Sequence, residues 1–306
     1  MYLNHFGLRE FPFNLTPDTG FFFRNGSHQE AYIVLLVALR SGEGFIKLTG
    51  EVGTGKTLLC RLLLNTLGDE FVTAYIPNPF LTPPALHMAL ADELGIEYTR
   101  NLGQHRLLKL ISDRLIELNA TGKRVALLID EAQTLPTNTL EALRLLTNLE
   151  TEKSKLLQVV LFGQPELDQR LEHRELRQLR QRITFAHQLA PIDLHGFEGY
   201  ISHRLNVACY QGPPLFNRRS LAALHRASRG IPRLINILCH KALLAAYGRG
   251  DIVVLPIHVR MAAHDTEDVM LHRPHLRLLR TLVGTFTGAS ALLVAIVVLH
   301  LSGSAP

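Results

Sequence analysis

The stretch Gly50-Glu-Val-Gly-Thr-Gly-Lys-Thr57 carries the most chemistry in this chain. It fits the spacing G-x-x-x-x-G-K-[ST], and it lies between a strand-like run and a helical pattern, the context in which such a loop binds phosphates. Glycines at 50, 53 and 55 let the backbone curl into a nest. Its amide hydrogens, with the helix start at Lys56, Thr57 and Leu58, face an anion, and the Lys56 ammonium neutralises β and γ phosphate oxygens. Glu51, Val52 and Thr54 complete the loop, and the Thr57 hydroxyl is placed to hold Mg2+. The expected ligand is ATP with Mg2+.

About seventy residues on, Val125-Ala-Leu-Leu-Ile-Asp-Glu131 is an apolar strand closed by two acids. Asp130 at the strand end is expected to hold the magnesium, and Glu131 to orient or deprotonate the attacking water. Phe162-Gly-Gln-Pro-Glu-Leu167 puts Gln164 at the end of another strand, where a γ-phosphate sensor can stand. Arg180 and Arg182 precede a last strand and can reach a neighbouring subunit's nucleotide as an arginine finger. Arg233, in Gly230-Ile-Pro-Arg233, is a further cation able to fold over the γ-phosphate.

These residues need a frame, and the pattern from Gly42 to Leu189 supplies one. Short apolar runs at Phe45–Thr49, Val72–Ile76, Val125–Ile129, Leu157–Phe162 and Ile183–Leu189 alternate with helical stretches, the signature of a parallel five-stranded sheet buried on both faces. Thr82 is placed to cap one helix ahead of Pro83 and Pro84. Another begins near Asn138, with Leu140, Leu143, Leu146 and Leu149 at core spacing. After Pro191 the runs at Glu198–Tyr210, Ser220–Ala227 and Pro232–Tyr247 all read as helices. The expected division is therefore an ATPase core over 1–190 that includes the N-terminal segment, and a helical lid over 191–270.

The sequence ends on an apolar stretch. Eleven of the 21 residues Thr281–Leu301 are Leu, Ile, Val or Phe, and no Asp, Glu, Lys or Arg occurs from 281 onward. A single C-terminal transmembrane helix over 281–301 is expected, with a basic segment at 271–280. Arg273, Arg277 and Arg280 place the ATPase on the cytoplasmic side by the positive-inside rule. Gly284 and Gly288 form a GxxxG pair suited to helix contact.

Composition excludes several classes. The charge of +5 over 306 residues, with no long like-charged run, gives no argument for nucleic acid. Cys60, Cys209 and Cys239 are odd in number and far apart, so neither a disulfide framework nor a CxxC metal site is expected. His258, His264, His272 and His275 cluster without metal-ligand spacing. The opening residues MYLNHFGLRE lack the pattern of a cleavable secretory signal.

With the phosphate loop, the acid pair, LFGQPEL, LRQRI and GIPR in this order, the sequence resembles the AAA+ ATPases of the general secretion pathway protein A (ExeA) type over about residues 1–270. Tyr2-Leu-Asn-His-Phe-Gly-Leu8, Pro12-Phe13, Thr16-Pro17-Asp18 and Glu43-Gly-Phe-Ile-Lys-Leu-Thr-Gly50 resemble that family too. Within it, the sequence is most similar to the MshM-type ATPases of mannose-sensitive haemagglutinin (MSHA) type IV pilus biogenesis. The resemblance implies a RecA-like AAA+ core and a helical lid with ATP between them. It makes Gln164 sensor 1, Arg182 rather than Arg180 the finger, and Arg233 sensor 2. It further implies a homo-oligomer at the bacterial inner membrane that works with pilus or type II secretion proteins. A DNA-associated ATPase of the transposition-helper type and a slow ATP-dependent assembly switch are the alternatives.

Overall fold

The computed structural model describes residues 2–24, 26–77, 79–99, 102–150 and 154–270. Five strands form one parallel sheet: β1 (Phe45–Gly50), β2 (Phe71–Ile76), β3 (Arg124–Ile129), β4 (Gln158–Gly163) and β5 (Ile183–Leu189), in the spatial order β2-β3-β4-β1-β5. All five expected strands are present. Between them run α2 (Gly26–Arg40), which leads into β1, then α3 (Lys56–Thr66), α4 (Pro83–Glu93), α5 (Gln104–Ala120), α6 (Thr137–Leu146), α7 (Pro165–Leu171) and α8 (Arg177–Arg182).

Strand side chains alternate between two cores, as the two-residue pleat requires. Val125, Leu127 and Ile129 of β3 join Leu90, Ile111, Leu115, Leu140 and Leu143 from α4, α5 and α6. Ala126 and Leu128 face the other way, onto Leu35, Leu39, Leu59 and Leu63 of α2 and α3. Each fully buried leucine contributes about 1.5–3 kcal/mol of apolar transfer. β3 and β4 are thereby held rigidly on both faces, and their carboxyl ends carry the acids and Gln164. β5 departs from the expectation of two buried faces. Thr184, Ala186 and Gln188 are exposed while Ile183, Phe185 and His187 are half-buried, because β5 is an edge strand covered on one side only. Thr82 is the N-cap of α4 by position, yet its side chain makes no capping bond; Pro83 at the first helical position leaves one fewer amide to satisfy.

Past β5 come α9 (Leu194–Val207), α10 (Arg218–Ser228), α11 (Pro232–Gly248), α12 (Pro256–His264) and α13 (Glu267–Met270), α9–α12 building a helical bundle. Asp193 caps α9 through Gly196 N at 2.7 Å, and Asn217 caps α10 through Ser220 N at 2.8 Å. The bundle core of Phe197, Ile235, Leu238, Leu243 and Val259 also takes in Tyr2, Phe6 and Phe13 from the start of the chain, so α1 (Tyr2–Phe6) packs with the lid.

One part of the expected fold class is corrected. No helix among the described residues is long and apolar enough to cross a membrane. The longest of them, α5 and α11, each run 17 residues and carry polar side chains, short of the roughly 20 apolar residues a bilayer core needs. The single C-terminal transmembrane helix is therefore no part of the fold established here; the segment 281–301 on which it was expected, with its 271–280 flank and the Gly284/Gly288 pair, lies outside the described residues.

Candidate functional site

β1 sits between β4 and β5, so the loop leaving its carboxyl end opens beside the exits of β4 and β3. Gly53 at φ 81° and Gly55 at φ 103° take the left-handed turns that bend the loop before α3. A side chain is excluded at 53 for a second reason, since a Cβ there would lie 2.6 Å from Arg233 Cβ. Lys56 is 5% exposed, and its ammonium donates to Gly50 O at 2.7 Å and Glu51 O at 3.0 Å. Thr54 Oγ1 also donates to Glu51 O, at 2.8 Å. Burial pulls the Lys56 pKa down, opposed by Glu131, Asp130, Glu51 and Glu166 in that order.

The acids arrive from β3. Asp130 is 3% exposed, accepts from Thr57 Oγ1 at 2.6 Å through Oδ2 and from Glu131 N at 2.9 Å through Oδ1. Burial raises its pKa, while these two bonds and Lys56 pull the other way. A hydroxyl and a carboxylate in contact fit Mg2+, which Thr57 and Asp130 would hold together with phosphate oxygens and water. Glu131 stands at φ 52°, ψ 37°, a left-handed conformation uncommon for a residue with a Cβ. Its Oε2 accepts from Gln164 Nε2 at 3.1 Å.

A cleft of about 310 Å³ joins these groups, lined by Val52, Gly53, Gly55, Lys56, Thr57, Leu58, Glu131, Gln164 and Arg233. Arg233 comes from the first turn of α11, and its backbone N–H donates to Gly53 O at 3.1 Å, so the lid touches the loop directly. Arg182 does not join the cleft. Its guanidinium turns to the end of α6, donating to Arg144 O at 3.3 Å and Thr147 Oγ1 at 3.4 Å. Arg180 is exposed.

Three residues that the sequence reading passed over belong to the surroundings of this cleft. His28, in the first turn of α2, donates through Nε2 to Thr54 O at 2.7 Å, and burial lowers its pKa. Gln133 bonds both Glu131 and Gln164. Arg204 of α9 is 5% exposed and has no carboxylate partner among the described residues. It donates to Pro12 O at 2.5 Å, Asn14 O at 3.2 Å and Tyr200 Oη at 3.3 Å, and its guanidinium lies 4.6 Å from the Phe21 ring centroid. With Asn14, Leu15, Thr16, Tyr200, Pro232 and Asn236 it lines the far end of the cleft. Periodicity gives no signal for such contacts; the Gln in Asp130-Glu-Ala-Gln133, two residues beyond the acids, was the one local hint.

A parallel sheet in this order, with a phosphate loop and an acid pair at its carboxyl edge and a helical lid laid over the loop, defines an AAA+ ATPase. Residues 39–171 match the AAA domain family. The chain is 46% identical over 270 residues to general secretion pathway protein A of Aeromonas hydrophila, which covers 88% of this chain and 49% of that protein, and it is an AAA+ ATPase of that type. It spans about half the length of this curated relative. Among solved structures, Cdc6p from Pyrobaculum aerophilum superposes with a TM-score of 0.60 at 20% identity, covering 86% of this chain and 74% of that one. The ORC2 protein of Aeropyrum pernix gives 0.59 at 16%, covering 84% and 71%. At such identities the likeness is one of fold alone.

Proposed function

We propose that this ATPase supports the assembly or positioning of a type IV pilus of the MSHA kind, or of a related type II secretion machine. The observation that carries this reading is the 46% identity to general secretion pathway protein A, which runs through the core and the lid alike. In this reading Lys56 and the loop amides from Gly50 to Leu58 hold the ATP phosphates, and Thr57 and Asp130 hold Mg2+. Glu131 orients the attacking water, Gln164 senses the γ-phosphate, and Arg233 reports its presence to the lid. Magnesium supplies charge neutralisation at the phosphates.

The chain works as a homo-oligomer at the cytoplasmic face of the inner membrane, against inner-membrane proteins of the machine. Arg182, held away from its own cleft, serves a neighbour's. Mixing Arg182→Ala with Lys56→Ala protein then restores part of the turnover, because a mixed interface keeps one intact site; no recovery would remove Arg182 from the site. The functional test is a host strain lacking this chain. Loss of surface pili or of protein export, restored by wild type and not by Glu131→Gln, is the expected result. Intact piliation and export together with tight, salt-sensitive duplex binding would turn the assignment to a DNA-associated ATPase.

A further inference from the structure

Gln133 lies in the single helical turn Ala132–Thr134 that follows the acid pair, and it is tied in three directions. Its side-chain Nε2 donates to Glu131 Oε2 at 2.5 Å. Its Oε1 accepts from the backbone N–H of Gln164 at 3.0 Å. Its own carbonyl accepts from Arg170 Nη1 on α7. The amide orientation follows from the partners, since a carboxylate can only accept and a backbone N–H can only donate.

Two amides, from Gln133 at the exit of β3 and Gln164 at the exit of β4, therefore converge on one oxygen of Glu131. Oε2 thus holds two donors, and Oε1, which accepts no hydrogen bond among the described residues, is left as the oxygen that can take a proton or a hydrogen bond from water. The Glu131 backbone, at φ 52°, is in a conformation its own side chain disfavours, so its direction is set by neighbours.

We infer that Gln133 is a positioning residue for hydrolysis, fixing the direction of the Glu131 carboxylate and setting its register against Gln164. This rests on the assignment of Glu131 as the group that orients water. Glutamine suits the place because a single planar amide must donate on one side and accept on the other across the gap between two strand exits. Asparagine is one methylene short. Methionine keeps the volume and loses both bonds.

Steady-state ATP turnover of the full chain tests this with Gln133→Met, Gln164→Met, the double variant and Glu131→Gln. In Gln133→Met kcat falls about tenfold while KM for ATP stays within roughly twofold, since a mis-aimed group costs rate and not binding. The double variant loses less than the product of the two single losses, because both act on one oxygen. Unchanged kcat in Gln133→Met, or a loss matched by a rise in KM and a lower melting temperature, overturns the inference. Should the methionine variant fold poorly, the isosteric Gln133→Glu keeps the shape and faces Glu131 with a like charge; wild-type kcat in that protein overturns it equally. Full turnover in Glu131→Gln would remove the assignment of Glu131 and this inference with it. A silent Glu131→Gln beside a fully active Gln133→Met would remove the role of Gln133 alone.

Discussion

The two ends of the nucleotide cleft are built on opposite plans. The phosphate end is built around one unbroken stretch, from β1 through the loop into α3, whose groups are aimed by backbone torsions at Gly53 and Gly55, with Asp130 and Glu131 brought to it by β3. The far end is assembled from three distant places, residues 14–18, Tyr200 with Arg204 on α9, and Pro232 with Asn236 on α11. What aims its side chains is mutual packing, above all a buried guanidinium shared among Pro12 O, Asn14 O and Tyr200 Oη. The phosphate cradle at the first end is a property of a short peptide. Shape at the second is a property of the folded whole.

This contrast can be broken by substitution. At the phosphate end, Lys56→Ala and Glu131→Gln lower ATP turnover by about 10²–10³ while leaving the unfolding curve nearly in place. At the far end, Arg204→Met does the reverse. It leaves two backbone carbonyls without their donor, so urea unfolding shows a loss of about 2–3 kcal/mol, and KM for ATP rises more than kcat falls. A turnover loss in Arg204→Met as large as in Lys56→Ala, with stability intact, would erase the distinction. Gly53→Ala probes the seam between the ends: its Cβ meets Arg233 and its φ is left-handed, so nucleotide affinity, measured by titration with a fluorescent ATP analogue, drops by about tenfold. Asp193→Ala is the smallest change. It removes the α9 cap and costs about 1 kcal/mol in urea unfolding with turnover unaltered.

The same contrast explains what the sequence could disclose. Gly50–Thr57 were legible because their spacing along the chain already fixes their geometry, and β3 and β4 because burial on both faces writes a continuous apolar run, which in β3 ends on Asp130 and Glu131. The edge strand β5 looked alike from its composition, yet its register puts Thr184, Ala186 and Gln188 outward, a matter of which neighbour covers it. Arg204 was silent for a related reason. An arginine two-thirds of the way along the chain reads as solvated until Pro12 and Phe21 are brought to it, roughly 190 positions apart in sequence. Gln133 was nearer to view, but its meaning depends on the Gln164 amide just past the end of β4.

The packing of Tyr2, Phe6 and Phe13 among the lid helices has a mechanical consequence. Core and lid are joined by two strands of chain, one running through residues 14–23 and the other between Leu189 and Leu194. A body hung on two straps cannot swivel freely; it turns about the line that joins them. One of those straps also lines the far end of the cleft. Asn14 is bonded to Arg204 of the lid and Pro17 to Arg61 of α3, so a tilt that lifts Arg233 from the phosphate loop carries Asn14 with it and bends the strap between Asn14 and Pro17, at the far end of the cleft itself.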